Sequence, residues 1–155
     1  MAYRISRNIE ASIVEFITAS LLSDSWSGIE VLKGFPQEYK GKIPFIGVEV
    51  LNIDPVKLEI GNKNHVKNFT VKIGIFSSGD GKRLDLSDWL FDKLEDDVDY
   101  YTYTITNGVI TSKVKTGKII ITKWNNNEKE LTNTEVLEEE DRYRHLLNFE
   151  CIVAL

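Results

Sequence analysis

Strict two-residue alternation, in the middle of the chain and again at its end, constrains this sequence more than any other feature. Phe69, Val71, Ile73 and Ile75 alternate with Thr70, Lys72 and Gly74. Tyr143, His145, Leu147, Phe149, Cys151, Val153 and Leu155 share one side of a second run, while Arg142, Arg144, Asn148 and Glu150 take the other. A period of two places successive side chains on opposite faces of a strand. Strands of this kind need a sheet with one buried and one wetter face, hence an antiparallel or mixed sheet. At ~3.3 Å per residue the second run is long enough to cross a whole sheet. The chain has 155 residues, the size of one domain, so positions 1–155 are read as a single domain.

Two segments follow a helical period instead. Ile5, Ile9, Ile13, Phe16 and Ile17 form one stripe at ~100° per residue, with Arg7, Glu10 and Glu15 off it. That helix is expected from Ile5 to Leu22, ending in the turn formers Ser23 to Gly28. A second helix is expected from Leu84 to Val98, where Leu86, Leu90, Leu94 and Val98 recur at i+4 and Asp85 and Asp88 suit the first turn. The remaining elements read as strands. They are Ile29 to Lys33, a strand opened by Pro44 with Ile46, Val48 and Val50 on one face, and alternation at Val56, Leu58 and Ile60 after Pro55. Tyr101, Tyr103 and Ile105 alternate up to Asn107-Gly108, and Val109-Ile110 follows. Asn-Gly between β-rich runs marks a hairpin, because both turn positions need positive φ. Gly117 is expected to turn the chain again into Ile119 to Trp124. Asn125 to Glu140, with its Asn and Glu runs, is expected to be a long polar, acidic loop. The fold class is α+β: a mostly antiparallel sheet with two helices on one face, plus extended β-hairpins.

The residue types needed for familiar chemistries are sparse. Cys151 is the only cysteine, and His65 and His145 are the only histidines. Intrachain disulfides, multi-cysteine zinc sites and three-histidine metal sites are therefore excluded. Cys151 shares the apolar side of its strand with Phe149 and Val153, so it reads as a small hydrophobe, and His145 reads as a histidine at a core edge or interface. Ser78 to Arg83 holds glycines and a lysine before a helix, but its spacing matches neither nucleotide-binding motif. Glu95, Asp96, Asp97 and Asp99 form the densest carboxylate cluster and lack the pattern of a calcium loop. They read as a solvated helix end; their place at a helix C-terminus opposes the dipole, and a basic partner surface is the alternative. Net charge is −5, which disfavours a broad nucleic-acid-binding face. No apolar run approaches the ~20 residues of a membrane span, and the N-terminal residues lack the pattern of a signal peptide, so a cytoplasm-like compartment is expected. No catalytic residue, cofactor or metal site is expected, which favours a binding or assembly role.

The layout resembles the tail terminator (tail completion) proteins of long-tailed bacteriophages. The resemblance rests on the helix Ile5 to Leu21, the short strand Ile29 to Leu32, and the strand opening at Pro44-Phe45-Ile46-Gly47-Val48. It continues through the strand Phe69 to Phe76 feeding the helix Leu86 to Leu94, and the closing run Asp141 to Phe149 with Val153. It implies a non-enzymatic virion protein of the tail or neck, assembled in the host cytoplasm. Copies would form a homo-oligomeric ring, commonly a hexamer, that caps the tail tube and docks on the head connector. DNA would pass through without specific binding. On that reading Glu138, Glu139, Glu140 and Asp141 are candidates for an acidic lumen that repels DNA. Phe35, Tyr39, Asn107, Gly108 and Trp124 are candidates for contacts with a neighbouring subunit or partner. The alternatives are another head–tail joining or baseplate component, or a non-viral protein-binding module.

Overall fold

A computed structural model describes residues 5–34, 44–57, 65–129 and 144–155. Two helices, α1 (Ile5–Ser23) and α2 (Asp80–Leu94), accompany six strands. These are β1 (Glu30–Lys33), β2 (Phe45–Lys57), β3 (His65–Phe76), β4 (Val98–Thr106), β5 (Val109–Lys129) and β6 (Arg144–Ala154). They form one sheet in the order β1-β2-β3-β6-β5-β4. Every pairing is antiparallel except β1 with β2, which is parallel. The α+β class and the helix-covered sheet are as expected, and the single parallel pair makes the sheet mixed.

Register explains how one face became the core. Ile46 pairs with Ile75, Val48 with Ile73, Ile73 with Leu147, and Val71 with Phe149. Because alternate residues share a face, these side chains line up across β2, β3 and β6. Both helices press on that face. From α1 come Ile9, Ile13, Ile17 and Leu21, and from α2 come Leu86, Leu90 and Leu94, all buried in one cluster. Each such side chain contributes about 1.5–3 kcal/mol by leaving water. The sheet curls around α1, which touches β4 and β1, the two edge strands, as well as β2. On the opposite face Phe45 and Phe76 oppose each other in register and stack at 4.3 Å, with the Arg144 guanidinium 4.6 Å above the Phe76 ring.

Several element boundaries differ from the sequence reading, each for a physical reason. Helix α2 starts at Asp80 and not at Leu84, because extended Gly79 caps it and its carbonyl accepts the first helical bond from Arg83 N–H at 3.0 Å. Asp80 is thus the carboxylate of the first turn. The helix stops at Leu94, and Val98 reaches the core as the first residue of β4. A spacing of four cannot separate those two routes to one core. Strand β2 runs through Pro55 without a break, pairing Pro55 with Lys67. Its pairing with β1 has ended by then, so β2 is an edge there and a missing N–H is tolerated.

Gly117 does not turn the chain. It lies inside β5, where a Cβ would come within 2.3 Å of the Ala154 carbonyl oxygen, so glycine permits a close backbone approach. Asn125 to Lys129 are not loop either. They continue β5, and Asn126 to Lys129 pair with β6 down to Lys129 opposite His145, past a bulge at Asn125. Cross-strand pairing overrides the poor strand propensity of asparagine. Residues 130–140 of the expected loop lie outside the described residues.

Candidate interaction surface

The β4–β5 hairpin begins as a fully engaged ribbon. Among the described strands β4 is outermost, with no strand paired to its outer edge. Helix α1 fills that place with polar side chains at i, i+4 and i+7 along one side. Asn8 Nδ2 donates to the Tyr100 hydroxyl at 3.1 Å, and Asn8 Oδ1 accepts from Tyr103 N–H at 3.4 Å. Ser12 Oγ accepts from Tyr101 N–H at 3.0 Å. Glu15 Oε2 accepts from the Tyr103 hydroxyl at 2.9 Å and from Lys113 Nζ at 2.8 Å. Asn8 and Ser12 are buried, and each spends its polarity on β4, as a buried polar group must. Burial, and then the Glu15 carboxylate, push the Tyr103 hydroxyl pKa well above its ordinary value. Hydrogen bonds to Glu15 and Asp99 raise the pKa of Lys113 and Lys115.

Two carboxylates of the cluster after α2 find basic partners inside the chain. Asp99 meets Lys115 at 2.8 Å and Asp97 meets Lys118 at 3.7 Å. These carboxylates lie past Leu94, so they belong to the β4 approach and not to the helix. Among the described residues no group of His, Cys, Asp and Glu side chains is arranged to hold a metal ion. None of the described helices is long and apolar enough to cross a membrane.

Beyond Tyr103 the ribbon changes character. Among the described strands the β5–β6 ladder begins only at Lys118 opposite Ala154, so β5 before Lys118 is paired with β4 alone, with bulges at Thr111 and Thr116. From Tyr100 to Ser112 there is no charged residue, in a chain that is 28% charged. Val109 is 64% exposed and Ile110 40%. The turn itself is as expected, with Asn107 at φ 51° and Gly108 at φ 79°. Edge strands are ordinarily guarded by charge or cover, and among the described residues this tip has neither. Where root and tip meet, Ser12, Glu15, Phe16 and Ala19 of α1 join Asp99, Tyr101 and Lys113 around a cleft of about 180 Å³.

The far end of β5 is also tied down. His145 Nδ1 lies 2.6 Å from Arg83 Nη1, and its Nε2 lies 2.7 Å from Asn127 Oδ1. Arginine can only donate, so Nδ1 accepts and Nε2 carries the proton given to Asn127. Burial, and then the Arg83 charge, lower the His145 pKa to about 4. Arg83 is held in turn by Asp80 at 3.0 Å. His145 therefore sits at the core edge, joining α2, β6 and β5. Cys151 is fully buried and burial pushes its thiol up to about 12, consistent with a hydrophobe.

Of the sequence-derived interface candidates, Asn107 and Gly108 lie at the exposed tip. Trp124 is half-buried and packs on Phe91 at 4.6 Å and Phe149 at 5.1 Å, at the margin of the core. Phe35, Tyr39, Glu138, Glu139, Glu140 and Asp141 lie outside the described residues. Sequence reasoning passed over Asn8 and Ser12. Their signal was a pair of short polar residues, four apart, beside the apolar stripe of α1. Comparison with protein-family models and with curated proteins finds no match for this chain.

Proposed function

We propose that this chain is a structural virion protein of the tail terminator type, one subunit of a ring that caps a tail tube and joins it to the head connector. The observation that supports this reading best is the β4–β5 tip: β-rich, uncharged, exposed, and carried on a root whose own polar groups are paired. A ribbon of this kind suits addition to a neighbouring sheet or tube, where backbone pairing supplies affinity. Rings need two different complementary faces on each copy, and a tip at one corner of a curled sheet leaves the rest of the surface to serve as the second face. A net charge of −5 per chain suits a lumen that DNA crosses without sticking, since like charges repel.

The test combines the full-length chain with purified tail tubes. Electron micrographs are expected to show rings at tube ends, and light scattering a mass several times that of one chain when rings form. A chain that stays monomeric at all concentrations and leaves tube ends bare overturns the reading.

A further inference from the structure

We propose that Asn107 is a self-modifying site, at which the backbone nitrogen of Gly108 displaces the side-chain amide and leaves a carboxylate on the hairpin tip. The reaction needs only water and is independent of ring formation. Asn107 is the one asparagine of the chain followed by glycine. Attack on an asparagine side chain by the next residue's nitrogen is hindered by that residue's Cβ, and glycine has none. Elsewhere a bulkier neighbour stands in the way, as Ile9 does after Asn8, Ile53 after Asn52 and Phe149 after Asn148. Asn8 is also buried and holds Tyr100 and Tyr103, and Asn127 is held by His145.

The fold leaves the Asn107-Gly108 pair accessible. Both residues are exposed. The β4–β5 ladder closes at Thr106 opposite Val109, so the Gly108 N–H lies outside it. Ring closure requires rotation about the Asn107 Cα–C bond, which takes the turn out of its resting shape, with φ 51° at Asn107 and 79° at Gly108. At this place the rotation disturbs little. Among the described strands the tip pairs only within its own hairpin, and a bulge at Thr111 already interrupts that pairing. Local opening of such a tip takes far less free energy than global unfolding.

The Gly108 nitrogen gives its proton to solvent base and bonds to Asn107 Cγ. The Cγ–Nδ2 bond breaks, and ammonia leaves after taking up a proton, so a cyclic imide remains. Water then adds to either imide carbonyl, and the C–N bond at that carbon breaks. Opening at Cγ gives aspartate. Opening at the backbone carbonyl gives isoaspartate, in which the chain runs through Cγ. Either product places a charge in the uncharged stretch Tyr100 to Ser112, the kind of guard that edge strands ordinarily carry. Isoaspartate also lengthens the backbone of a turn whose fit to the strands is set by positive φ, which loosens the neighbouring Ile105–Ile110 pair.

Ageing the full-length chain at mildly alkaline pH tests this. Cleavage after Lys93 and Lys113 isolates a peptide in which Asn107 is the only amide side chain. Mass spectrometry should show that peptide gaining the mass difference between an amide and an acid, in separable aspartate and isoaspartate forms. The peptides carrying Asn52 and Asn148 should keep their mass. Loss of the original peptide should slow at mildly acidic pH, because the attacking nitrogen must first give up its proton. Asn107→Gln, whose longer side chain closes a larger ring less readily, should keep its mass over the same time. A chain unfolded in guanidinium chloride is the reference. If the unfolded chain converts and the folded chain does not, the turn shields its own asparagine and the proposal is overturned. Modification of Asn52 or Asn148 as fast as Asn107, or a rate indifferent to pH, overturns it too.

Discussion

The root and the tip of the β4–β5 hairpin belong to one ribbon and obey opposite rules. At the root, Asn8, Ser12 and Glu15 of α1 meet Tyr100, Tyr101, Tyr103 and Lys113, and buried polar groups there are partnered. At the tip, Thr104 to Ser112 carry no charge, pair with no third strand among the described residues and expose branched apolar side chains. Helix α1 closes the root, whereas among the described residues the tip is paired only within its own hairpin. The opposite sheet edge shows the other solution to edge exposure. β1 is four residues long, with Glu30 and Lys33 at its ends, and so offers little to pair with.

The contrast can be broken at the root first. Asn8→Ala removes the partner of the Tyr100 hydroxyl and of the Tyr103 N–H together. Each buried group left unmade costs about 1–3 kcal/mol. Thermal melting should show the midpoint fall by about 2–4 °C for each kcal/mol lost. An unchanged midpoint would mean that α1 does not hold the edge.

The far end of β5 gives the next effect. The His145 ring stays neutral in the folded chain down to about pH 4, whereas the unfolded chain takes up that proton near the ordinary value of 6.5. Unfolding therefore binds a proton between those values, and stability falls as pH drops through this window. The slope approaches about 1.4 kcal/mol per pH unit. Above pH 6.5 this contribution is fully present. Denaturant titrations of wild type and His145→Gln should diverge in slope only inside the window; parallel curves would remove the Arg83–His145–Asn127 link from the account.

Gly117→Ala sharpens the boundary between root and tip. The new Cβ would meet the Ala154 carbonyl oxygen, and overpacking of this kind costs typically about 1–3 kcal/mol. Loss of chain-end protection in hydrogen exchange at Ala154 is the expected signature. The smallest effect on stability belongs to the tip. Ile110→Asp should leave the unfolding free energy within about 0.5 kcal/mol of wild type in denaturant titrations, as exposed substitutions do. A large loss of monomer stability would show that the tip is part of the core after all.

Much of this was legible beforehand. Alternation in Phe69 to Ile75 and in His145 to Cys151 marked the two central strands, because a period of two survives any topology. The i+4 stripes of α1 and α2 were equally plain. Asn107-Gly108 identified its own turn, since positive φ at both positions is a local demand. These readings needed only neighbours within a few residues.

What tertiary structure alone decided lies where distant segments meet. Asn8 looked like an ordinary helix residue until Tyr100 and Tyr103 came to rest against it. Gly117 looked like a turn until Ala154 passed over it. Asn125 to Lys129 looked like loop until β6 supplied a ladder. In each case the deciding partner is far along the chain or on another element, and a residue's own preference of a few tenths of a kcal/mol yields to burial and pairing worth several times more.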